Sequence, residues 1–109
     1  VGVMPLMHTP WELGKCGYKL IQYMACGLPV VASPVGVNNV IVDQGENGFL
    51  SCDTLGWFES LSELLTNPAL RHAMGQAGRQ RVEERHCLRV TASLLVKWLK
   101  AVPEMRSKP

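Results

Sequence analysis

A helix followed at once by a buried strand is the feature that most constrains the fold of this chain. Residues 14–36 read GKCGYKLIQYMACGLPVVASPVG. In the first half of this stretch, apolar residues recur at helical spacing, at Leu20, Ile21, Met24 and Ala25. Gly27 then ends the helix, and the apolar run PVVAS follows almost immediately as a predicted strand, residues 29–33. This order is typical of an α/β protein with a parallel sheet.

Two further strands are predicted around this unit. One is the apolar run of residues 1–6, and the other is residues 48–51, which follow the turn sequence DQGENG. Residues 7–15 are predicted to form a loop. Residues 34–42 are predicted to form a second loop, with a single helical turn opened by Asn38.

After the third strand the sequence predicts only helices. Asp53 or Thr54 caps the first of them, and the Asn67-Pro68 pair begins the second. Pro103 is expected to end the last helix. The expected apolar stripes are Leu55, Phe58, Leu61, Leu64 and Leu65 in the first helix, Leu70, Met74, Ala77 and Val82 in the second, and Leu94, Leu95, Trp98 and Leu99 in the last.

Three strands are few for an α/β domain, whose sheets usually have about 5 or 6. The chain also begins inside an apolar run, so we expect it to be a fragment of a longer domain. The strand edge at residues 1–6 and the apolar helix faces would then lack their usual cover. We therefore expect the isolated chain to form a homo-oligomer.

Composition limits the class of protein. The 109 residues suffice for one domain at most, and 47% hydrophobic with 18% charged residues is ordinary for a soluble globular protein. A net charge of +2 argues against nucleic-acid or membrane-surface partners. No apolar run approaches the roughly 18 residues of a transmembrane helix. The four cysteines show no C-x-x-C pair, so we expect reduced thiols in the cytoplasm and neither a disulfide nor a metal site.

The segment 14–19, GKCGYK, is the candidate binding loop. It lies between the first strand and the helix, and ligands of α/β sheets bind where helix N-termini meet the carboxyl ends of strands. Free N–H groups and the helix dipole favour an anion there. Gly17 would let a phosphate approach the backbone, and Lys15 and Lys19 add positive charge. The loop matches no established phosphate-binding motif, so the residues alone also allow a solvated loop.

The remaining candidates have plainer interpretations. The histidines (His8, His72 and His86) have no ligand partners at metal-binding spacing, although His8 precedes the loop. No base is positioned to make a nucleophile of Cys16. Trp57 and Trp98 are expected in the core or in a domain interface. The basic series Arg79, Arg81, Arg85 and Arg89, with Glu83 and Glu84, predicts a solvated helix face.

Three stretches carry a family resemblance: KCGYKLIQYMACGLPVVASPVGVN, GENGFL and LRHAMGQAGRQRVEER. In this order they resemble the carboxyl-terminal half of GT-B glycosyltransferases of retaining family 4, the glycosyl transferase group 1 type. The resemblance runs from Val1 to about Trp98. It implies that residues 1–109 are part of the second, Rossmann-like domain, which binds a nucleotide-sugar donor. It also implies that the opening strands and the N-terminal domain lie outside the chain, so that the isolated fragment does not transfer sugar.

The resemblance assigns roles to individual residues. The amides of Cys16, Gly17 and Tyr18 face the donor diphosphate, with Lys19 beside them. The two glutamates of the family motif are replaced by Gly14, which offers only backbone, and by Gln22, whose amide can still bind a ribose hydroxyl.

Three further points complete the assignment. Glu12 is a candidate to contact the sugar in place of the missing carboxylate, and Lys15 adds charge to the site. A further position that often carries glutamate is Val40. No catalytic residue and no cofactor is assigned. We expect a cytoplasmic location from the reduced cysteines, with peripheral contact to the inner face of the membrane left open. The resemblance also makes residues 89–100 the segment most prone to exchange in an oligomer, because this region crosses towards the other domain in the family.

A second hypothesis is a non-catalytic Rossmann-like module for nucleotide binding or assembly. The absence of both glutamates favours it, whereas the intact loop disfavours it.

Overall fold

The computed structural model describes residues 1–106, with side chains as far as Pro103. The elements in chain order are β1 (Gly2–Met4), α1 (Pro10–Leu13), α2 (Tyr18–Ala25), β2 (Val30–Ala32), α3 (Asn38–Ile41), β3 (Gly48–Leu50), α4 (Thr54–Thr66), α5 (Pro68–Arg85) and α6 (Leu88–Arg106).

The three strands form one parallel sheet in the order β1-β2-β3. Val31, at the centre, is in register with Val3 of β1 and with Phe49 of β3. All three residues of β2 are buried, as expected for the middle strand of a covered parallel sheet. The predicted α/β fold with a short parallel sheet flanked by helices is therefore confirmed. The observed strands are shorter than predicted, and Val3 of β1 is exposed.

Side chains pack on both faces of the sheet because successive residues of a strand point to opposite sides. Val30 and Ala32 join one core cluster with Leu20 and Met24 of α2. Val31 joins a second cluster, in which Leu64 of α4 packs with Met74 of α5. Helix α5 contributes to both clusters, since its Val82 belongs to the first. The result is a sheet layered between helices.

The loop predicted for residues 7–15 contains α1, which the sequence pattern did not predict. Thr9 caps this single turn, with its Oγ1 accepting a hydrogen bond from the N–H of Glu12 at 3.2 Å. Pro10 occupies the first position, where its missing N–H costs nothing. A cap and a proline suffice for a turn too short to show apolar periodicity.

The single helical turn predicted at Asn38 is confirmed as α3, but Asn38 does not cap it, whereas the caps predicted for the long helices are confirmed. Asn38 lies inside α3, where it is buried, and its Nδ2 donates to the carbonyl oxygen of Ser33 at 3.1 Å. Asp53 caps α4, accepting from the N–H of Gly56 at 2.7 Å. Asn67 caps α5 in the same way, accepting from the N–H of Leu70 at 3.1 Å.

The last helix is longer than predicted. It passes through Pro103 and continues to Arg106, so the predicted end at Pro103 is wrong. Proline removes one N–H donor of a helix but leaves the hydrogen bonds of the other residues in place. Trp98 is 62% exposed and does not belong to the core. None of the described helices has the length and apolar character needed to cross a membrane.

The apolar stripe predicted for α4 is only partly correct. Leu64 is fully buried and Leu61 packs against it, but Leu55, Phe58 and Leu65 are exposed. Trp57 packs against the core instead, which agrees with the first of the two locations predicted for it, the core or a domain interface.

Candidate functional site

The candidate site is a cleft of about 460 Å³ beside β1 and the first turn of α2. It is lined by residues 3–6, which include the carboxyl end of β1, and by residues 14–19, which lead into the helix. Six of the eight residues predicted to bind a donor therefore lie together around one space, from Gly14 to Lys19. The cleft lies at the carboxyl end of β1, the end of a parallel strand at which α/β proteins commonly bind ligands.

Backbone donors are concentrated in the loop. In the part of the chain that the structure describes, the N–H groups of Cys16, Gly17, Tyr18 and Lys19 have no hydrogen-bond acceptor. Gly17 precedes α2 in the left-handed conformation, with φ of 69°, and has no side chain to cap the helix. These donors therefore remain available to an anion, and the helix dipole adds partial positive charge.

The two lysines of the loop differ in their surroundings. Lys15 Nζ lies 3.0 Å from Glu12 Oε2, so the two side chains form an ion pair. This oxygen is buried, and the angles of the contact do not meet the criteria for a hydrogen bond. Lys19 is exposed, and it forms no ion pair with any residue of the described part. Glu12 therefore offsets the charge of Lys15, and Lys19 supplies the net positive charge of the cleft.

The other two predicted residues do not line the cleft. The side chain of Glu12 is only 20% exposed and is engaged with Lys15. Gln22 is exposed on α2, four positions after Tyr18. His8 is also exposed and stands before α1.

Gly17 is required by packing as well as by its backbone conformation. A Cβ atom added there would lie 2.6 Å from Cδ1 of Ile41 and 3.2 Å from Cγ1 of Val37. The side of Gly17 that lacks a side chain thus faces α3. The binding loop rests directly on that short helix.

The loops after β1 and β2 are joined by a serine that the sequence analysis did not single out. Ser33 Oγ accepts a hydrogen bond from the N–H of Leu6 at 2.8 Å, while its carbonyl oxygen accepts from Asn38. Leu6 lines the cleft. The position of Ser33 immediately after a buried strand could have indicated this role, because a hydroxyl there can accept a hydrogen bond from the end of the neighbouring strand.

The predicted solvated face of α5 is wrong for Arg81. Its side chain is only 11% exposed and donates to Oδ2 of Asp43 and to the carbonyl oxygen of Val40. Arg79 pairs with Glu83 at 2.9 Å on the solvent side. Arg79 and Arg81 are only two residues apart, and the pattern of basic residues in the sequence did not indicate that one is exposed and the other mostly buried.

Two other clefts are less suited to an anion. One, of about 440 Å³, lies beyond the strand ends next to Trp57, but the carboxylate of its Asp53 already caps α4. The other, of about 620 Å³, runs along α5 beside Gly27 and contains the Arg79–Glu83 pair. Within the described residues, no group of three or more His, Cys, Asp or Glu side chains could hold a metal ion.

Comparison with known proteins decides the family. The family described as Glycosyl transferases group 1 matches residues 1–67, which is more than half of the chain and includes the whole cleft. The chain belongs to this family. It is 30% identical over 103 residues, 93% of this chain, to the D-inositol 3-phosphate glycosyltransferase of Saccharomonospora viridis. It is 33% identical over 82 residues to the N-acetyl-alpha-D-glucosaminyl L-malate synthase of Bacillus anthracis.

A solved structure supports the same assignment. The sucrose-phosphate synthase of Thermosynechococcus elongatus matches 94% of this chain with a TM-score of 0.73 and 28% identity. The matched region is 26% of that protein, and it is 24% and 21% of the two curated relatives. The chain thus spans about a quarter of the length of these three proteins. The partial Rossmann-like fold of the GT-B type is confirmed.

Proposed function

We propose that residues 1–109 form part of the donor-binding domain of a glycosyltransferase that uses a nucleotide sugar and retains its anomeric configuration. The observation that carries the proposal is the cleft beside α2, which is lined by four consecutive residues, 16–19, whose backbone N–H groups have no acceptor among the described residues, and by the charge of Lys19. A diphosphate has the charge and the acceptor oxygens that such a set of donors binds.

The same groups would assist the departure of the nucleoside diphosphate. Negative charge develops on the leaving phosphate as the bond to the sugar breaks. Fixed N–H donors and a nearby ammonium stabilise that charge without reorganising. We assign no protein nucleophile and no general base to this chain, whose role is to bind the leaving group.

We assign the ribose to Gln22, whose exposed amide both donates and accepts, and the remaining polar contacts of the donor to Gly14 and Lys15. A sugar contact by Glu12 requires its carboxylate to turn away from Lys15.

The proposal is tested by calorimetric titration of the full-length gene product with uridine and guanosine diphosphates. Lys19→Ala should weaken binding by about 1–3 kcal/mol, because it removes the charge that no carboxylate offsets. Lys15→Ala is the matched control and should weaken binding less, since Glu12 already offsets its charge. Failure of the folded wild-type protein to bind either nucleotide contradicts the proposal, as does equal affinity of wild type and Lys19→Ala.

The alternative of a non-catalytic module is favoured by the residues at the two glutamate positions, Gly14 and Gln22. A turnover assay separates the two functions. Release of nucleoside diphosphate from a nucleotide sugar in the presence of acceptor supports the enzyme. Tight nucleotide binding without release, over a panel of donors and acceptors, supports the module.

The isolated 109-residue chain is proposed to be inactive and to self-associate, and the parent protein to act in the cytoplasm. Apolar side chains of α6 remain exposed, among them Leu88 at 82% and Leu99 at 61%. The free side of β1 also carries no strand among the described residues. Light scattering over a dilution series tests this, and a monomer at high concentration would contradict it.

A further inference from the structure

We infer that Arg81 is a positioning residue for the diphosphate loop, although it lies on α5 and does not line the cleft. It acts through α3, which supports Gly17 from behind. The inference rests on the proposed function, because it concerns the geometry of that same loop.

Helix α3 depends on its neighbours for its position. It contains four residues, and a helix of one turn has almost no stability by itself. At its N-terminal end, Asn38 is fixed to the carbonyl oxygen of Ser33. At its C-terminal end, Asn47 donates to the carbonyl oxygen of Ile41 at 3.2 Å. The adjacent carbonyl oxygen, that of Val40, accepts from Arg81.

Arg81 connects two consecutive parts of this segment to a long helix. Its guanidinium donates through one nitrogen to Asp43 Oδ2 and through the other to the carbonyl oxygen of Val40. Asp43 directly follows Val42, the residue that caps the C-terminal end of α3. The planar guanidinium reaches the two acceptors from two different nitrogens in a fixed geometry, whereas a lysine would have to bring one ammonium nitrogen within hydrogen-bond distance of both.

The link from α3 to the loop is direct. Ile41 and Val37 occupy the space beside the α-carbon of Gly17, so a displacement of α3 moves the surface on which Gly17 rests. The N–H group of Gly17 is one of the four donors of the loop, which run from Cys16 to Lys19. Their alignment therefore depends on α3, and through α3 on the contacts of Arg81.

The test measures nucleoside-diphosphate affinity of the full-length protein at a temperature where each variant is fully folded. Arg81→Ala should weaken binding about tenfold, as expected for a residue that acts through one packed element. Arg81→Lys should recover only part of this loss, because it keeps the charge but not both contacts. Asp43→Asn should give a smaller loss and serves if Arg81→Ala does not fold.

Arg79→Ala is the matched control, because Arg79 lies on the same helix and donates to the carbonyl oxygen of Ala25 at 2.7 Å, away from α3. It should leave the affinity unchanged. Equal affinity of Arg81→Ala and wild type overturns the inference, as does an equal loss in Arg79→Ala or full recovery by Arg81→Lys. If wild type itself fails to bind, the proposed function fails, which is a separate result.

Discussion

Substituting Gly17 and Gly27 by alanine should have unequal effects on stability, because the two glycines share a backbone conformation but not an environment. Their φ angles are 69° and 72°, both in the left-handed region that disfavours a side chain. A Cβ atom at Gly27 would meet nothing within 4 Å, whereas one at Gly17 would lie 2.6 Å from Ile41 Cδ1.

The magnitudes follow from these two environments. The left-handed conformation costs alanine about 1–2 kcal/mol at either position. At Gly17 the displacement of Ile41 adds about 1–3 kcal/mol, the usual cost of overpacking. We therefore expect Gly17→Ala to lower the free energy of unfolding by about 2–5 kcal/mol. This is a large share of the roughly 5–15 kcal/mol of a small domain. The gain from restricting the unfolded chain is common to both variants and cancels in the comparison.

Urea denaturation of both variants measures the difference. A third variant, Ile41→Val, removes Cδ1 at a cost of about 0.5–1.5 kcal/mol. The combination of Gly17→Ala with Ile41→Val should then be less destabilised than the sum of the single changes. Equal losses at Gly17 and Gly27, or strict additivity with Ile41→Val, would show that the loop does not rest on α3.

Two further predictions concern stability. Leu64→Ala should lower the free energy of unfolding by about 2–5 kcal/mol in urea denaturation, because Leu64 is fully buried. The neighbouring Leu65 is 66% exposed, so Leu65→Ala should change the free energy of unfolding by less than about 0.5 kcal/mol. Equal effects of the two substitutions would contradict the described packing. Burial, and then the guanidinium groups of Arg81 and Arg85, lower the pKa of His86 below 6.5. The unfolded chain therefore binds this proton more readily, and the thermal midpoint should fall as the pH drops below about 6.5. His86→Gln should show a weaker decline, and an unchanged decline would refute the assignment.

Local signals in the sequence predicted the long elements well. Apolar spacing and Gly27 located α2, and Asp53 and Asn67 correctly marked the starts of α4 and α5. These features are short-range, since a cap or a stripe needs only three or four neighbouring residues. The order of strands and helices then predicted a parallel sheet, as observed.

Contacts between distant segments were the part that the sequence did not predict. Arg81 contacts Asp43 across 38 positions of the chain, and Ser33 contacts Leu6 across 27. Nothing in the basic pattern of α5 separates Arg81 from Arg79. In α4, Trp57 lies toward the core in place of Phe58, because the path of the helix over the sheet decides which side of it is covered.

The sequence correctly grouped the consecutive residues 14–19, which line one cleft in the structure. Residues 14–19 lie around one cleft because they are consecutive and end at a helix N-terminus. The state of each charge was not predictable from the spacing. Only the structure distinguishes Lys15, beside Glu12, from Lys19, which pairs with no carboxylate in the part of the chain that the structure describes.

The central claim is that the backbone donors of residues 16–19 bind the diphosphate. Amide chemical shifts during titration with uridine or guanosine diphosphate test it most directly, in protein labelled with ¹⁵N and assigned by substitution. The largest shifts should fall on Cys16, Gly17, Tyr18 and Lys19, while Tyr23, further along the same helix, should move little. Shifts centred instead on residues 52–57, or no shift in the loop at saturating nucleotide, would contradict the account.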